Sequence, residues 1–497
     1  MIISNLMDPT ITRRTVLQLM GLAAISPSCL AEGAKLSLAT RNPVMDQGIR
    51  QLSNQDVSWL LDEKFGMFIH WGLYAGRGHG EWMMHSEAIS PEKYRQFAFD
   101  NNSDEYFAAD KFDPSAWASL AKQAGMRWMC LTARHHDGFC LFNSPHPNAF
   151  SSQQSHGRDF VDEYVKACRA SGLRVGLYFS PINWRYPGYY DVSGTDCKPN
   201  PFGYKTDPSH KENARLMKEE NYANVHWLMT KYGKIDHVFW DGGWLGEQGS
   251  DADAAYFNEP GLHMSPENQW QIAPPYVEYD AQHRPLGIMG VTRRHQPKAV
   301  VNPRYGWVGD YKDEEGGAEV KGPIRDKDLF QKCMTTAGAW GYDRGAIESG
   351  HVISPEAIVE MLVNCVVRGM VLLLNVGPDR HGVIPAEVAN SLTATGKWLS
   401  QAGESVYKTR GGPWQPEDRR IGYCSHKNKV YVHLMKELQG PEFSVPAGSY
   451  RPMAARDLIS GTKLTWETSG EWIIFKGMPA GAMPNRVAVI EFDRNMN

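Results

Sequence analysis

Asp241 closes the apolar run Ile235-Asp236-His237-Val238-Phe239-Trp240 and is followed by Gly242-Gly243-Trp244. A carboxylate leaving a buried strand into glycines meets little local competition for its oxygens, the setting a nucleophile requires. The same residue can instead act as the side-chain acceptor of an Asx turn over the two glycines. A second group is His135-His136-Asp137-Gly138-Phe139. Paired imidazoles serve either as metal ligands or as neutral donors and acceptors for hydroxyl groups. Neighbours at a strand end point apart and no H-E-x-x-H is present, so hydroxyl binding is expected and no metal is assigned.

Such groups act together only if the chain gathers them. Between residues 46 and 402 short apolar runs alternate with amphipathic stretches, the pattern of repeated β-α units around a parallel sheet. The predicted strands are Phe65 to Gly72, Arg127 to Ala133, Leu173 to Ser180, Ile235 to Asp241, Ala299 to Asn302 and Val371 to Val376. Asp113-Pro114, Asp207-Pro208 and Ser354-Pro355 each put a side-chain acceptor ahead of a proline at a helix start, and Gly172 and Gly369 stop two helices. Either a doubly wound sheet or a closed (β/α)8-like barrel fits. No G-x-G-x-x-G or G-x-x-x-x-G-K follows the early strands, so no nucleotide cofactor is expected. In a barrel, His70, His135, Tyr178, Asp241, Asn302 and Asn375 converge at the C-terminal ends of the strands.

From residue 403 to 497 the texture changes to short alternating strands, Arg420 to Ser425, Lys429 to Met435, Lys463 to Glu467, Glu471 to Lys476 and Arg486 to Phe492. This reads as a C-terminal antiparallel β-sandwich that supports the barrel, in preference to an independent carbohydrate-binding module. At the other end, Thr12-Arg13-Arg14-Thr15-Val16-Leu17 leads an apolar run to Ile25 and then small residues. Residues 1–34 therefore read as a twin-arginine export signal and linker, giving a periplasmic or extracellular protein. The run is shorter than the roughly 20 residues a bilayer span takes. Ile25-Ser26-Pro27-Ser28-Cys29 is a poor lipobox, so no lipid on Cys29 and no membrane partner are expected. The remaining cysteines lack C-x-x-C spacing, and Cys130, Cys168 and Cys365 read as small core hydrophobes. Acidic residues number 56 against 52 basic, so no positive field exists to hold nucleic acid. The 16 Trp, 21 Tyr and 18 Phe supply core and also flat apolar faces for sugar rings.

Six ordered pieces then carry a resemblance: Lys64-Phe65-Gly66-Met67-Phe68-Ile69-His70-Trp71-Gly72, Glu81-Trp82, His135 to Phe139, Gly176-Leu177-Tyr178-Phe179-Ser180, Trp240-Asp241-Gly242 and Leu372 to Pro378. From about residue 55 to 400 the chain resembles the α-L-fucosidases of glycoside hydrolase family 29, with a shorter segment between His70 and Glu81. The resemblance implies a (β/α)8-like barrel with a C-terminal β-sandwich, no metal or cofactor, and retaining hydrolysis of terminal α-L-fucosyl residues on a fucosylated glycan. Asp241 matches the family's nucleophile and Arg304 a family arginine that keeps it ionised. The family places its acid/base inconsistently. One pattern puts a glutamate after an Asp-aromatic pair, here Asp310-Tyr311, which gives Glu315, with Glu314 and Glu319 as alternatives. The other pattern falls near Gln331, which cannot cycle a proton. His70, Glu81, Trp82, His135, His136 and Tyr178 are implied as sugar ligands or ring neighbours, and Phe239 as an aromatic neighbour. A relative acting on α-L-galactosides and a carbohydrate-binding protein without catalysis stand as the alternative functions.

Overall fold

The computed structural model describes residues 52–186, 209–242, 262–264, 275–304, 309–317, 319–325, 328–480 and 485–496. The export signal, Cys29, Cys197, the Asp207-Pro208 cap and Gly243-Trp244 lie outside them.

Eight parallel strands run β1 Phe65–Ile69, β2 Trp128–Arg134, β3 Arg174–Phe179, β4 His237–Trp240, β5 Val300–Val301, β6 Lys312–Glu315, β7 Phe330–Thr335 and β8 Val371–Val376. Their lateral order is β5-β4-β3-β2-β1-β8-β7-β6. The two ends of this path meet through Asp310. Its N–H donates to Val301 O (2.8 Å), while its Oδ2 accepts from Val301 N (2.8 Å) and from Arg293 (2.8 Å). Phe68, Cys130, Tyr178, Phe239, Val300, Tyr311, Cys333 and Leu373, drawn from both ends of the path, share one buried interior cluster. The sheet therefore rolls shut, and the barrel replaces the doubly wound alternative.

The predicted strands fall on β1 to β5 and on β8. Sequence reading missed β6 and β7. Lys312-Asp313-Glu314-Glu315 has the composition of a solvated loop, and Phe330-Gln331-Lys332-Cys333-Met334-Thr335 lacks an apolar run. Both are strands because their inward polar groups find partners. Arg304 holds Asp313 and Glu315, and buried Gln331 donates to Tyr311 Oη (3.2 Å).

The outer layer includes α1 Asn54–Glu63, α2 Pro114–Gln123, α3 Phe160–Ala170, α4 Ser209–Lys231, α5 Ile288–His295, α6 Pro355–Val366 and α7 Ala386–Ala402. Asp113 caps α2 by accepting from Ser115 and Ala116 N–H, and Ser354 caps α6 by accepting from Ala357 N–H. Gly172 (φ 69°) and Gly369 (φ 76°) turn the chain away after α3 and α6 in the left-handed conformation.

The C-terminal region is a five-stranded antiparallel sheet facing a three-stranded one. Val430, Val432 and Ile490 of the first meet Phe443, Val445 and Phe475 of the second in a common core. Three of its strands, Arg410–Gly411, Glu442–Pro446 and Pro452–Asp457, lie outside the predicted set. The other face of the larger sheet, with Cys424, Tyr431, Val487 and Val489, joins the barrel's own core. Trp398 of α7 donates across this boundary to Asn485 O (3.3 Å). The six described cysteines are free and buried.

Candidate active site

Strand alternation decides what faces the barrel axis. On β4 the inward set is His237, Phe239 and then Asp241. The same parity carries Val300 of β5 on through Asn302 to Arg304, and Tyr311 through Asp313 to Glu315 on β6. It carries Phe68 to His70 beyond β1, and Leu373 to Asn375 on β8. The lower members form the apolar interior, so each strand lifts a reactive side chain one step above it.

Asp241 is the centre of this upper layer. Its Oδ1 accepts from Arg304 Nη1 (2.6 Å) and from the Gly242 N–H (2.8 Å), and its Oδ2 accepts from Tyr178 Oη (2.8 Å). His136 Nε2 lies 3.6 Å from Oδ2. Gly242 has φ 84°, and a Cβ there would sit 2.6 Å from Ile182 Cδ1, so only glycine makes this turn. The aspartate is thus a strand-end carboxylate, and its bond to the adjacent Gly242 N–H is not the bond two residues on that defines an Asx turn. Burial alone would raise its pKa. The Arg304 charge, His136 and the Tyr178 hydrogen bond outweigh burial and hold the carboxyl below the ordinary carboxylate range.

Arg304 is shared among three carboxylates. Besides Asp241, its Nε donates to Asp313 Oδ2 (2.6 Å) and its Nη2 to Glu315 Oε2, and its guanidinium lies over the Phe239 ring at 5.1 Å. The neighbouring acids part company, Glu314 by strand parity and Glu319 because it lies beyond the end of β6. Glu314 points out of the barrel to Arg325, and Glu319 pairs with Lys321 and lies 3.7 Å from Arg419 of the sandwich. Of these glutamates, Glu315 is the one that shares a partner with Asp241.

The histidines line the opposite wall. His70 Nδ1 is 2.7 Å from Asn375 Oδ1, and Asn375 Nδ2 donates to Trp340 O (2.7 Å). With the amide oxygen facing it, His70 Nδ1 carries the proton and Nε2 is left as an acceptor. Burial depresses its pKa to about 3. His135 stacks on Tyr178 (ring centroids 5.6 Å, 9° between planes), and its buried Nδ1 has no hydrogen-bond partner among the described residues. His136 Nδ1 is 2.6 Å from Ser180 Oγ, and burial lowers its pKa to about 4 against the opposing pull of Asp241. The two rings do not point apart as expected. Their centroids are 4.2 Å apart, because both lie just past the end of β2, where the Gly138 N–H closes a turn onto His135 O (3.1 Å) and strand alternation no longer applies. The donor atoms of His135, His136 and Asp241 lie within 4.8 Å of one another.

Trp82 packs 5.4 Å from His136 and 5.2 Å from Trp184. Glu81 is buried with Oε2 accepting from Gly341 N–H (2.8 Å), and desolvation raises its pKa. Phe239 lies in the apolar layer beneath Arg304, not beside the open space above Asp241. Sequence reading left Ser180, Asp313 and Trp340 without a role. Asp313 was within reach, since it shares the parity of Glu315, whereas Trp340 comes from a loop with no periodic signal. Behind His136, buried Arg134 donates to Ser180 O (2.6 Å) and to Asn221 Oδ1 (2.5 Å), and pairs with buried Glu220 (3.2 Å).

The arrangement holds an ionised carboxylate, a second carboxyl tied to the same arginine, neutral imidazoles and aromatic faces, which suits attack on a sugar's anomeric carbon. Comparison with known proteins agrees. Residues 37–404 match the family model described as alpha-L-fucosidase. The tissue alpha-L-fucosidase of Bos taurus is 28% identical over 412 residues, covering 78% of this chain and 76% of that one. The Homo sapiens tissue enzyme is 28% identical over 395 residues, covering 76% and 74%. Among solved structures, alpha-L-fucosidase isoenzyme 1 from Paenibacillus thiaminolyticus superimposes with a TM-score of 0.69 at 26% identity, covering 88% of this chain and 99% of that one. The fold is also that of a family 29 alpha-L-fucosidase from Bacteroides thetaiotaomicron trapped as a covalent intermediate (TM-score 0.70, 22% identity, 90% and 98% covered). The chain belongs to the alpha-L-fucosidase family of glycoside hydrolases.

Proposed function

We propose that the protein is a retaining exo-α-L-fucosidase in which Asp241 is the nucleophile and Glu315 the acid/base. Asp241 attacks the anomeric carbon while Glu315 gives a proton to the departing glycosidic oxygen. The fucosyl ester on Asp241 is then hydrolysed by water that Glu315 deprotonates. Retention calls for two carboxyl groups roughly 5 to 5.5 Å apart. The observation that carries the reading is the bridge through one guanidinium, Asp241 on Arg304 Nη1 and Glu315 on Nη2. That bridge couples the two charges.

His70, His135, His136 and Glu81 offer donors and acceptors to the ring hydroxyls, Tyr178 orients Asp241, and Trp82 supplies an apolar wall for the sugar. Phe239 acts by supporting Arg304 from below. The substrate is a terminal α-L-fucosyl group on a glycan, met outside the cytoplasm after export directed by residues 1–34. Among the described residues no helix is long and apolar enough to cross a membrane. The test is hydrolysis of an aryl α-L-fucoside followed by proton NMR. The expected first product is α-L-fucose, and β-L-fucose or no turnover would reject the proposal.

A further inference from the structure

Away from the catalytic face, two imidazoles and a carboxylate converge in the helical layer. Helix α4 follows β3 and therefore descends from the catalytic face, so His226 lies in its lower half. His295 is the last residue of α5, which descends in the same way after β4. Glu278 comes from the segment 275–286, which is bridged to itself at Tyr279 and Pro285 and leads into α5. His295 Nε2 is 3.0 Å from both Glu278 oxygens and His226 Nε2 is 3.6 Å from Oε1. The three donor atoms lie within 4.8 Å of one another. Arg294 Nη1 donates to the other oxygen, Oε2 (3.0 Å), and its Nη2 to Tyr279 O.

We propose that His226, Glu278 and His295 form a structural site for a divalent transition-metal ion, zinc above all. Two neutral imidazole nitrogens and one carboxylate oxygen are a ligand set zinc favours, with water completing the tetrahedron from the half-exposed side of His226. Glu278 binds through Oε1, which both histidines face. Arg294 keeps Oε2 and fixes the carboxylate's orientation, the part that hydrogen-bonded partners of metal ligands ordinarily play. The ion replaces the hydrogen bond between His295 Nε2 and Glu278, and the single N–H of that neutral ring moves to Nδ1. The donors come from α4, α5 and the intervening segment, so the ion clamps the chain between β4 and β5. The site is distinct from His135, His136 and Asp241, which lie above the barrel.

Chelator-stripped full-length protein is titrated with zinc by calorimetry, and its melting temperature is followed with and without zinc. Wild type should bind one zinc at this site and gain about 2 °C or more at saturation. Glu278→Gln and His226→Ala should lose both effects while kcat/KM without added metal stays at the wild-type value. Cobalt(II) in place of zinc should give a visible ligand-field band in wild type that these variants lack. No saturable binding by wild type overturns the inference. So does equal binding by wild type and both variants, which would put the ion elsewhere, and a His136→Ala control then shows whether the barrel mouth holds it.

Discussion

Arg304 Nη1 donates to Asp241 Oδ1 across 2.6 Å, and the same guanidinium reaches Glu315 through its other terminal nitrogen. One side chain from beyond β5 thus joins the ends of β4 and β6, where the one lysine of β6, Lys312, is turned away to Asp328. Charge balance, geometry and the pH behaviour of the centre all depend on it.

Removing that guanidinium should show in the acid limb of the pH profile. Arg304 holds folded Asp241 below its unfolded value of about 3.9. The pair's stabilisation is therefore present above that value and lost as pH falls through the lower folded one. In Arg304→Ala, only His136 and the Tyr178 hydrogen bond are left to oppose burial, the carboxyl rises, and the acid limb of kcat/KM should move to higher pH. Arg304→Lys should move it less. Superimposable profiles for wild type and Arg304→Ala would contradict this role.

The histidines should not titrate in the working range. Burial takes His70 to about 3 and His136 to about 4, so both are neutral above pH 5. Histidine NMR should show their ring signals unchanged between pH 5 and 7. His136→Ala should lower kcat/KM by about 10- to 100-fold through a lost hydrogen bond to a buried hydroxyl. Chelator should leave kcat unchanged, and a loss of turnover restored by zinc would make the His135-His136-Asp241 cluster a metal centre.

Glu315→Ala should slow a fucosyl disaccharide far more than an aryl fucoside whose phenolate leaves without help. Deglycosylation also loses its base, so the aryl substrate should show a lowered KM and azide should accelerate turnover with retained configuration. Glu314→Ala and Glu319→Ala should be close to wild type, since their side chains face Arg325 and Lys321. Equal slowing on both substrates in Glu315→Ala, without azide rescue, would reject the assignment.

Behind the site, Glu220→Gln should cost about 3 kcal/mol in denaturant unfolding, because it leaves the fully buried Arg134 without its counter-charge. A change under 1 kcal/mol would mean that Ser180 O and Asn221 suffice for that arginine.

Much of this was legible in the residues. Short apolar runs such as Val371 to Val376 located strands, and the strand-end rule collected His70, His135, Tyr178 and Asp241. What escaped depended on tertiary partners. Asp313 and Glu315 sit on a strand because Arg304 neutralises them, and a lone window of Lys-Asp-Glu-Glu carries no sign of an arginine several residues earlier. The closeness of His135 and His136 follows from their place in a turn just past the end of β2, a boundary that the apolar run does not fix to the residue. Asp310 joins the ends of the sheet through its carboxylate, where a backbone ladder would have left a periodic trace.

The most direct test of the central claim is to trap the intermediate. Wild-type protein incubated with a 2-deoxy-2-fluoro-fucosyl fluoride is digested with pepsin and analysed by tandem mass spectrometry. The expected result is a single fluorofucosyl adduct on Asp241, absent from Asp241→Ala, whose turnover should fall about 10⁴-fold and recover in part with azide to give an inverted fucosyl azide. An adduct on any other carboxylate, or undiminished turnover in Asp241→Ala, would contradict the account.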